Sequence, residues 1–497
     1  MNQNKLFSMQ TAAFSGLEAI CIEVEAEISN GLPRFVIVGL PDAVVSESRV
    51  RISRALSNYL PPTKVITVNL SPAHIKKEGS HYDLPIALCL LVALKILPES
   101  ILDEFVAFGE LTLNGRILPC KGVLLAAMSA QEHKKKLICS KESAADVALL
   151  GVQVIGAQTL QEIIDFFQNN SALDLYHHNI YAPEPKVETV DFSQVKGQES
   201  AKLALEIAAA GGHHALMIGS PGSGKSMLAQ RFNTILPNLT AQQSLEATLI
   251  YNLAGKPIRN LLISAPFREV HHSASTPAMV GGGSFATPGE ISLAHNGVLF
   301  LDEFPEFNRS TLQALREAME TGKITVSRAQ AHHSYPARFQ LIAAMNPCKC
   351  GMLGEGKCKS GPKCASDYWA KISGPLLDRF DLCVYMQNLA PWQLCEIETK
   401  SDTSLHIRTR VAKCRAVQIN RQGCLNADLM GEKMEEFTFL NQDLRAFAYS
   451  VAKKFALSSR GFAKLLKTAR TIADLAEKEH IDKSALTLAS SFRFMWN

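Results

Sequence analysis

Long hydrophobic runs are scarce in this chain of 497 residues. The longest, Pro85 to Leu94 (PIALCLLVAL), is too short to span a bilayer and ends at Lys95. It reads as a buried helix, and no membrane is expected as a partner. A secretion signal is also lacking, because MNQNKLFSMQTAAFSG has no apolar stretch behind a charged start. The expected compartment is therefore the cytoplasm, where the twelve cysteines should be reduced thiols or metal ligands and not disulfides. There is no excess of one charge: 51 basic against 47 acidic residues leave +4, which permits a local nucleic-acid-binding patch without arguing for one. No repeat of solenoid period and no low-complexity tract occurs. What is present, 47% hydrophobic and 20% charged residues, is the composition of a folded globular protein too long for one core.

Three blocks emerge along the chain. Residues 1–170 alternate β-like runs (CIEVEAEI, RFVIVGL, KVITVNL) with helical stretches such as SESRVRISRALSNYL. Residues 171–190, with Pro183 and Pro185 and no sustained period, read as a linker. In residues 191–390 strands alternate with helices, as in a parallel α/β sheet. Residues 391–497 are helical by period and propensity.

The second block carries the chemistry. Gly219-Ser220-Pro221-Gly222-Ser223-Gly224-Lys225-Ser226 fits G-x-x-x-x-G-K-[ST] at every fixed position, between an apolar run (ALMIG) and a helix-like MLAQRFNTIL. The glycines let backbone N–H groups close around the phosphates of ATP, Lys225 supplies a charge, and the Ser226 hydroxyl ligates Mg²⁺. Val298 to Glu303 (VLFLDE) is an apolar strand ending in two carboxylates. Asp302 is placed to hold the Mg²⁺ shell and Glu303 to polarise the attacking water. A third strand, FQLIAAMN, ends in Asn346, which either senses the γ-phosphate or is only a turn residue. Arg379, in GPLLDRFDL, is either a surface ion pair or an arginine finger offered to a neighbouring subunit. Arg460, in SSRGFAKLLKTAR, is a candidate second sensor or a solvated helix residue.

Between Asn346 and Arg379 lies NPCKCGMLGEGKCKSGPKC. Cys348, Cys350, Cys358 and Cys364 can close around one tetrahedral Zn²⁺, a structural site because four thiolates leave no open position. An iron–sulfur cluster and unliganded thiols are the alternatives. The lysines of this loop (Lys349, Lys357, Lys359, Lys363) suit either nucleic acid or solvent.

Phosphate loop, acidic strand end, asparagine, DRFD arginine and late helical arginine follow one another in the order of an AAA+ ATPase. The run PFREVHHSASTPAMVGGGSFATPGEISLAHNGVLFLDEFPEF further resembles the magnesium-chelatase-like AAA+ proteins, and within them the competence-protein ComM (YifB) family, over nearly the whole chain. The resemblance implies an AAA+ core with a helical lid. It also implies a homo-hexameric, DNA-dependent ATPase, a helicase or translocase that drives branch migration on single-stranded and branched DNA during natural transformation and recombination. Lys225 and Asp302 are 77 positions apart, room for an inserted loop that Gly281–Gly283, Pro288 and Gly289 mark as mobile. KITVSR and ARFQLI read as the two strands of a hairpin before the sensor strand. In related helicases that hairpin points into the central pore, and here Lys323, Arg328, His332 and His333 suit phosphate contact.

The first block resembles the amino-terminal domain of the same family, which shares the α+β fold of the Lon protease domain (ribosomal S5 domain 2-like). GELTLNGRILPCKGVLLAA and KKEGSHYDLPIALCL carry that likeness. The Lon serine–lysine pair is missing: His81 stands at the nucleophile position, Leu124 at the lysine position, and Ser80 is one residue off. No peptidase activity is expected. The competing reading is a chelatase-type motor that remodels a protein partner. Such a motor should lack both the first block and the four-cysteine loop.

Overall fold

The computed structural model describes residues 6–61, 63–168, 175–176, 190–256, 260–282, 286–328, 331–353, 358, 361–389, 392 and 402–493. The first block contains strands β1 (Phe7–Ser15), β2 (Glu18–Asn30), β3 (Arg34–Val38), β4 (Lys64–Ser71), β5 (Phe105–Ala107), a two-strand ladder of β6 (Glu110–Leu111) and β7 (Ile117–Leu118), then β8 (Lys136–Ser140), β9 (Val154–Ala157) and β10 (Leu175–Tyr176). Apart from β6 and β7 they form one mixed sheet in the order β10-β9-β8-β5-β1-β2-β4-β3. The run read as a buried helix is one: Asp83–Ala93, with every residue from Asp83 to Val92 buried. The expected linker is not wholly without structure, because Leu175–Tyr176 pairs antiparallel with β9; Pro183 and Pro185 lie outside the described residues.

The second block adds β11 (Ala215–Gly219), β12 (Phe267–Val270), a short ladder of β13 (Gly281–Gly282) and β14 (Thr287–Pro288), β15 (Val298–Leu301), a hairpin of β16 (Lys323–Arg328) and β17 (Ala331–Pro336), β18 (Gln340–Met345) and β19 (Leu382–Met386). Its central sheet, β12-β15-β18-β11-β19, is parallel throughout. Parallel strands buried on both faces read as continuous apolar runs, and ALMIG is one. Ala215 and Met217 join the core on one face, Leu216 and Ile218 that on the other. The helix Ser404–Gln422 packs on the first of these faces through Ile407, Val411 and Cys414. The remaining C-terminal helices, Gly431–Phe437, Gln442–Lys454, Ser459–Leu475 and Lys483–Ser491, enclose a core around Leu465, Ala469 and Leu486.

One expectation is corrected here. The hairpin's second strand is AHHSYP, not ARFQLI: Val326 pairs with His333 and Ile324 with Tyr335. The alternation Ile324, Val326 and Tyr335 buries one face of this hairpin, whereas the apolar Leu341–Met345 run suits the interior of the central sheet. His332 and His333 therefore sit along a strand and not in the turn. Of the insert expected to be mobile, the described arms carry a short ladder, and Gly283 lies outside the described residues. These arms pair as β13 and β14, and the buried Tyr335 hydroxyl donates to the Ala286 carbonyl oxygen at 2.9 Å.

The first two blocks are in contact. From the second, the helix Ala241–Leu253 places Leu249 in the core formed by Val123, Leu124 and Ala127 of the first. Asn252 Oδ1 accepts the Gly122 N–H at 3.0 Å, at the start of the helix Val123–Glu132. A cavity of ≈ 650 Å³ lies at the junction, lined by Ser80, Glu110, Lys121, Leu253, His333 and Tyr335 among others. No helix among the described residues is long and apolar enough to cross a membrane.

Candidate nucleotide site and cysteine cluster

In an open parallel sheet, ligands bind where the strands end. β11, β15 and β18 are neighbours in register, so the phosphate loop, Asp302 with Glu303, and Asn346 emerge side by side at one sheet edge. Gly224 (φ +91°) opens the helix Lys225–Phe232, and Gly222 (φ +82°) bends the loop before it; a Cβ at either would meet nothing within 4 Å. The loop is thus an open cradle of backbone N–H groups at a helix N-terminus. Lys225 is buried, and its Nζ donates to the carbonyl oxygens of Gly219 (2.7 Å) and Ser220 (2.9 Å) and to Asn346 Oδ1 (3.3 Å). Burial pushes its pKa down, opposed by Asp302 and Glu303. Ser223 Oγ is buried with no partner among the described residues, an orphan that a phosphate oxygen would satisfy. The Ser226 hydroxyl donates to Asp302 Oδ2 at 2.7 Å, which joins the two oxygen donors a Mg²⁺ ion would share. These residues fit MgATP, which would supply the phosphoryl bond to be broken; Ser226 and Asp302 would hold its metal and Lys225 its phosphates.

Glu303 is engaged by a residue that pattern reading missed. His272 Nδ1 lies 2.7 Å from Glu303 Oε2. β12 lies beside β15, so its end delivers His271 and His272 to the same edge as Glu303. The signal was available, since FREVHH is one more strand ending in titratable residues.

Arg379 stands elsewhere. It precedes β19, whose first residue pairs with the first of β11 and whose last pairs with Gly219. The length of the strand, roughly 13 Å, separates it from its own phosphate loop. Its guanidinium contacts Glu320 at the end of the helix Arg309–Thr321, and its Nε is buried with no partner among the described residues. Burial, then Arg460 and Arg316, push its pKa down. Arg460 thus lies close enough to Arg379 to act on it through space, as does Arg316, which itself pairs with Glu320. Lys464, one helical turn on from Arg460, pairs with Asp381 at 2.9 Å and donates to the Arg379 carbonyl oxygen.

The four cysteines converge. Cys350 Sγ lies 3.2 Å from Cys348 Sγ, 3.5 Å from Cys358 Sγ and 3.9 Å from Cys364 Sγ, and all four sulfurs fall within 4.8 Å of one another. Four thiolates at about 2.3 Å from a tetrahedral ion would stand about 3.8 Å apart. The donor set therefore fits Zn²⁺, and the separations exclude a disulfide. The Cys348 thiol is brought down to about 7: burial opposes ionisation, but hydrogen bonds from Cys350, Leu353 and Met352 outweigh it. Lys349 and Lys363 are exposed; Lys357 and Lys359 lie outside the described residues.

Of the hairpin residues, Lys323 is exposed and His333 lines the cavity shared with the first block. The side chains of Arg328 and His332 lie outside the described residues. In the first block the Ser80 hydroxyl donates to Glu110, and the His81 ring turns inward, Nε2 3.0 Å from the Ala12 carbonyl oxygen.

A family model described as magnesium chelatase, subunit ChlI, matches residues 191–394, and one for the ChlI C-terminal part matches 401–493. A third, described as subunit ChlI of Mg-chelatase, matches 24–143. The chain is 42% identical to YifB of Salmonella typhimurium and of Escherichia coli, over 98% of this chain and 96% of each relative. It is 40% identical to the competence protein ComM of Haemophilus influenzae, over 97% of this chain and 96% of the relative. The chain belongs to the YifB/ComM family of magnesium-chelatase-like AAA+ proteins. ATP with Mg²⁺ is the cofactor pair this AAA+ family implies, and the cradle has residues that fit it. For YifB/ComM proteins the first block cannot argue against a chelatase-type motor, because the match over 24–143 itself carries that name.

Proposed function

We propose that this YifB/ComM protein is an ATP-hydrolysing ring motor, a homo-hexameric helicase that migrates branched DNA during natural transformation and recombination. The observation that carries the reading is the separation of Arg379 from its own phosphate loop by the depth of the sheet. Lys225, Ser226, Asp302, Glu303 and Asn346 share one edge, while Arg379 precedes β19 at the opposite end of the sheet. We read Arg379, so placed, as a transition-state cation for a neighbouring copy in a closed ring of head-to-tail contacts. Glu303 polarises water, Asn346 orients it through its bond to Lys225, and the neighbour's Arg379 stabilises charge once Glu320 releases it.

DNA as the substrate is supported by the name of the Haemophilus relative and by the exposed Lys323 at the base of the pre-sensor hairpin. We read residues 1–170 as a Lon-like domain without peptidase activity, 171–190 as a linker, 191–390 as the ATPase core and 391–497 as its helical lid. The buried, apolar Leu124 at the lysine position agrees with a serine that lacks the lysine partner of the Lon pair. The chelatase-type motor acting on a protein partner is the second reading, and the names of the family models favour it.

The test is ATP hydrolysis and strand displacement with and without forked or three-stranded DNA, with Lys225→Ala and Glu303→Gln as controls. The proposal expects DNA to stimulate hydrolysis and both variants to be inactive. Wild-type hydrolysis that DNA leaves unchanged, without displacement, overturns it in favour of the chelatase-type reading.

A further inference from the structure

The turn that carries the first two cysteines is fastened to the phosphate loop on both sides. Asn346, two residues before Cys348, accepts from Lys225 Nζ at 3.3 Å. Gly351, directly after Cys350, lies against the Pro221 ring. A methyl group added to Gly351 would stand 2.6 Å from Pro221 Cδ and 3.0 Å from Cγ, and its φ of +76° favours glycine as well. The Gly351 N–H donates to the Cys348 carbonyl oxygen at 2.9 Å and closes the turn. Cys348 itself is buried. The placing of Cys348 and Cys350 and the position of Pro221 are therefore set together.

A short, lysine- and glycine-rich segment supplies little apolar surface of its own to hold this turn, and a metal ion is the cross-link that its donors offer. Cys358 and Cys364 would anchor the far side of that cross-link.

We propose that Cys348, Cys350, Cys358 and Cys364 bind Zn²⁺, and that this binding is thermodynamically linked to nucleotide binding at the phosphate loop through the Gly351–Pro221 contact. The inference rests on the ATPase reading. Metal holds Gly351 against Pro221 and favours the closed cradle; a nucleotide-filled cradle holds the cysteine turn in its metal-binding shape. Such coupling is reciprocal, so each ligand must tighten the other by the same factor.

The experiment uses the full chain. Zinc content is measured first. Fluorescent ADP is then titrated into zinc-loaded and chelator-stripped protein, and zinc loss to a chelating dye is followed with and without MgADP. Expected are one zinc per chain, ADP binding weakened by about 5- to 150-fold on stripping, and slower zinc loss when MgADP is present. Pro221→Ala, which removes the ring contact without touching the cysteine turn, should keep zinc while MgADP no longer slows its loss. The zinc-loss measurement needs no stripped protein, so it decides the matter even if removing the metal unfolds the loop. Zinc bound, ADP bound and neither affecting the other within twofold would overturn the linkage and leave the ATPase reading intact. Protein that takes up no zinc would overturn the metal site. Protein that binds zinc but no ADP in either form would overturn the ATPase reading itself.

Discussion

Removing Lys464 isolates a buried carboxylate at the foot of the candidate finger. Asp381 accepts the His214 N–H at 2.9 Å and pairs with Lys464 Nζ at 2.9 Å; its side chain is 6% exposed and that of Lys464 14%. Burial alone would push the Asp381 carboxyl up, but the Lys464 ammonium foremost, then His213 and His214, hold it below the ordinary carboxylate range. His213 and His214 are themselves pushed down to about 4 by burial, so at pH 7 both are neutral and cannot replace the lysine. Breaking a buried pair from one side costs about 3–5 kcal/mol. The residual exposure of Lys464 places Lys464→Met near the lower end, about 3 kcal/mol, or a Tm lower by roughly 6–12 °C. Asp381→Asn in the same chain removes the orphaned charge and should recover most of this, with a coupling energy of at least about 1 kcal/mol in the double-mutant cycle. The pH dependence has a definite sign. Asp381 has a depressed folded-state pKa, so its stabilisation is complete above the unfolded value and is lost as pH falls below about 5. In Lys464→Met the carboxyl loses its main counter-charge and protonates more readily, so the deficit should shrink in acid. Thermal melts of the four proteins at pH 7.5 and pH 5 measure this. A single variant melting within about 1 °C of wild type, or purely additive losses, would refute the buried-pair account.

His272→Ala frees the half-exposed Glu303 from its partner, a contact worth about 0.2–1 kcal/mol. The kcat for ATP should therefore change by no more than about fivefold with KM nearly constant, and a hundredfold loss would show that His272 takes part in the reaction. Asn252→Ala removes the acceptor for Gly122 N–H at the start of Val123–Glu132. It should lower stability by about 1 kcal/mol, as loss of a helix cap does, and an unchanged melting curve would contradict docking of the first block on the core. At Gly16 (φ +64°) a Cβ would come 2.4 Å from the Ser334 carbonyl oxygen in the hairpin. Gly16→Val should therefore uncouple DNA stimulation while sparing basal ATPase, and normal stimulation would show that this contact transmits nothing.

The phosphate loop and the VLFLDE strand were legible because their chemistry is written in consecutive residues, and local context supplies the strand and helix around them. Asn346 needed its neighbours: only the pairing of β11 with β18 brings it to Lys225. His272 was missed because its partner lies at the end of another strand, although FREVHH itself reads as a strand ending in titratable residues. The hairpin was misregistered because both ARFQLI and AHHSYP offer a strand-like run. Which one pairs with KITVSR depends on which buries Ile324 and Val326, a tertiary choice. The grouping of Arg460 with Arg379 depends on where the C-terminal helices dock, which no local period encodes. The cysteine cluster was legible as four donors, but its seat on Pro221 was not, since that contact joins residues far apart in the chain.

The central claim is a nucleotide site completed by a neighbour, and mixing two inactive variants tests it most directly. Arg379→Ala subunits keep an intact cradle, and Lys225→Ala subunits keep an intact finger. Each alone should hydrolyse ATP at background rate. Rings mixed from both should recover activity, highest near equal proportions, because some interfaces then join a wild-type cradle to a wild-type finger. Mixed rings confirmed by mass or by a subunit label, yet inactive at every ratio, would contradict the account.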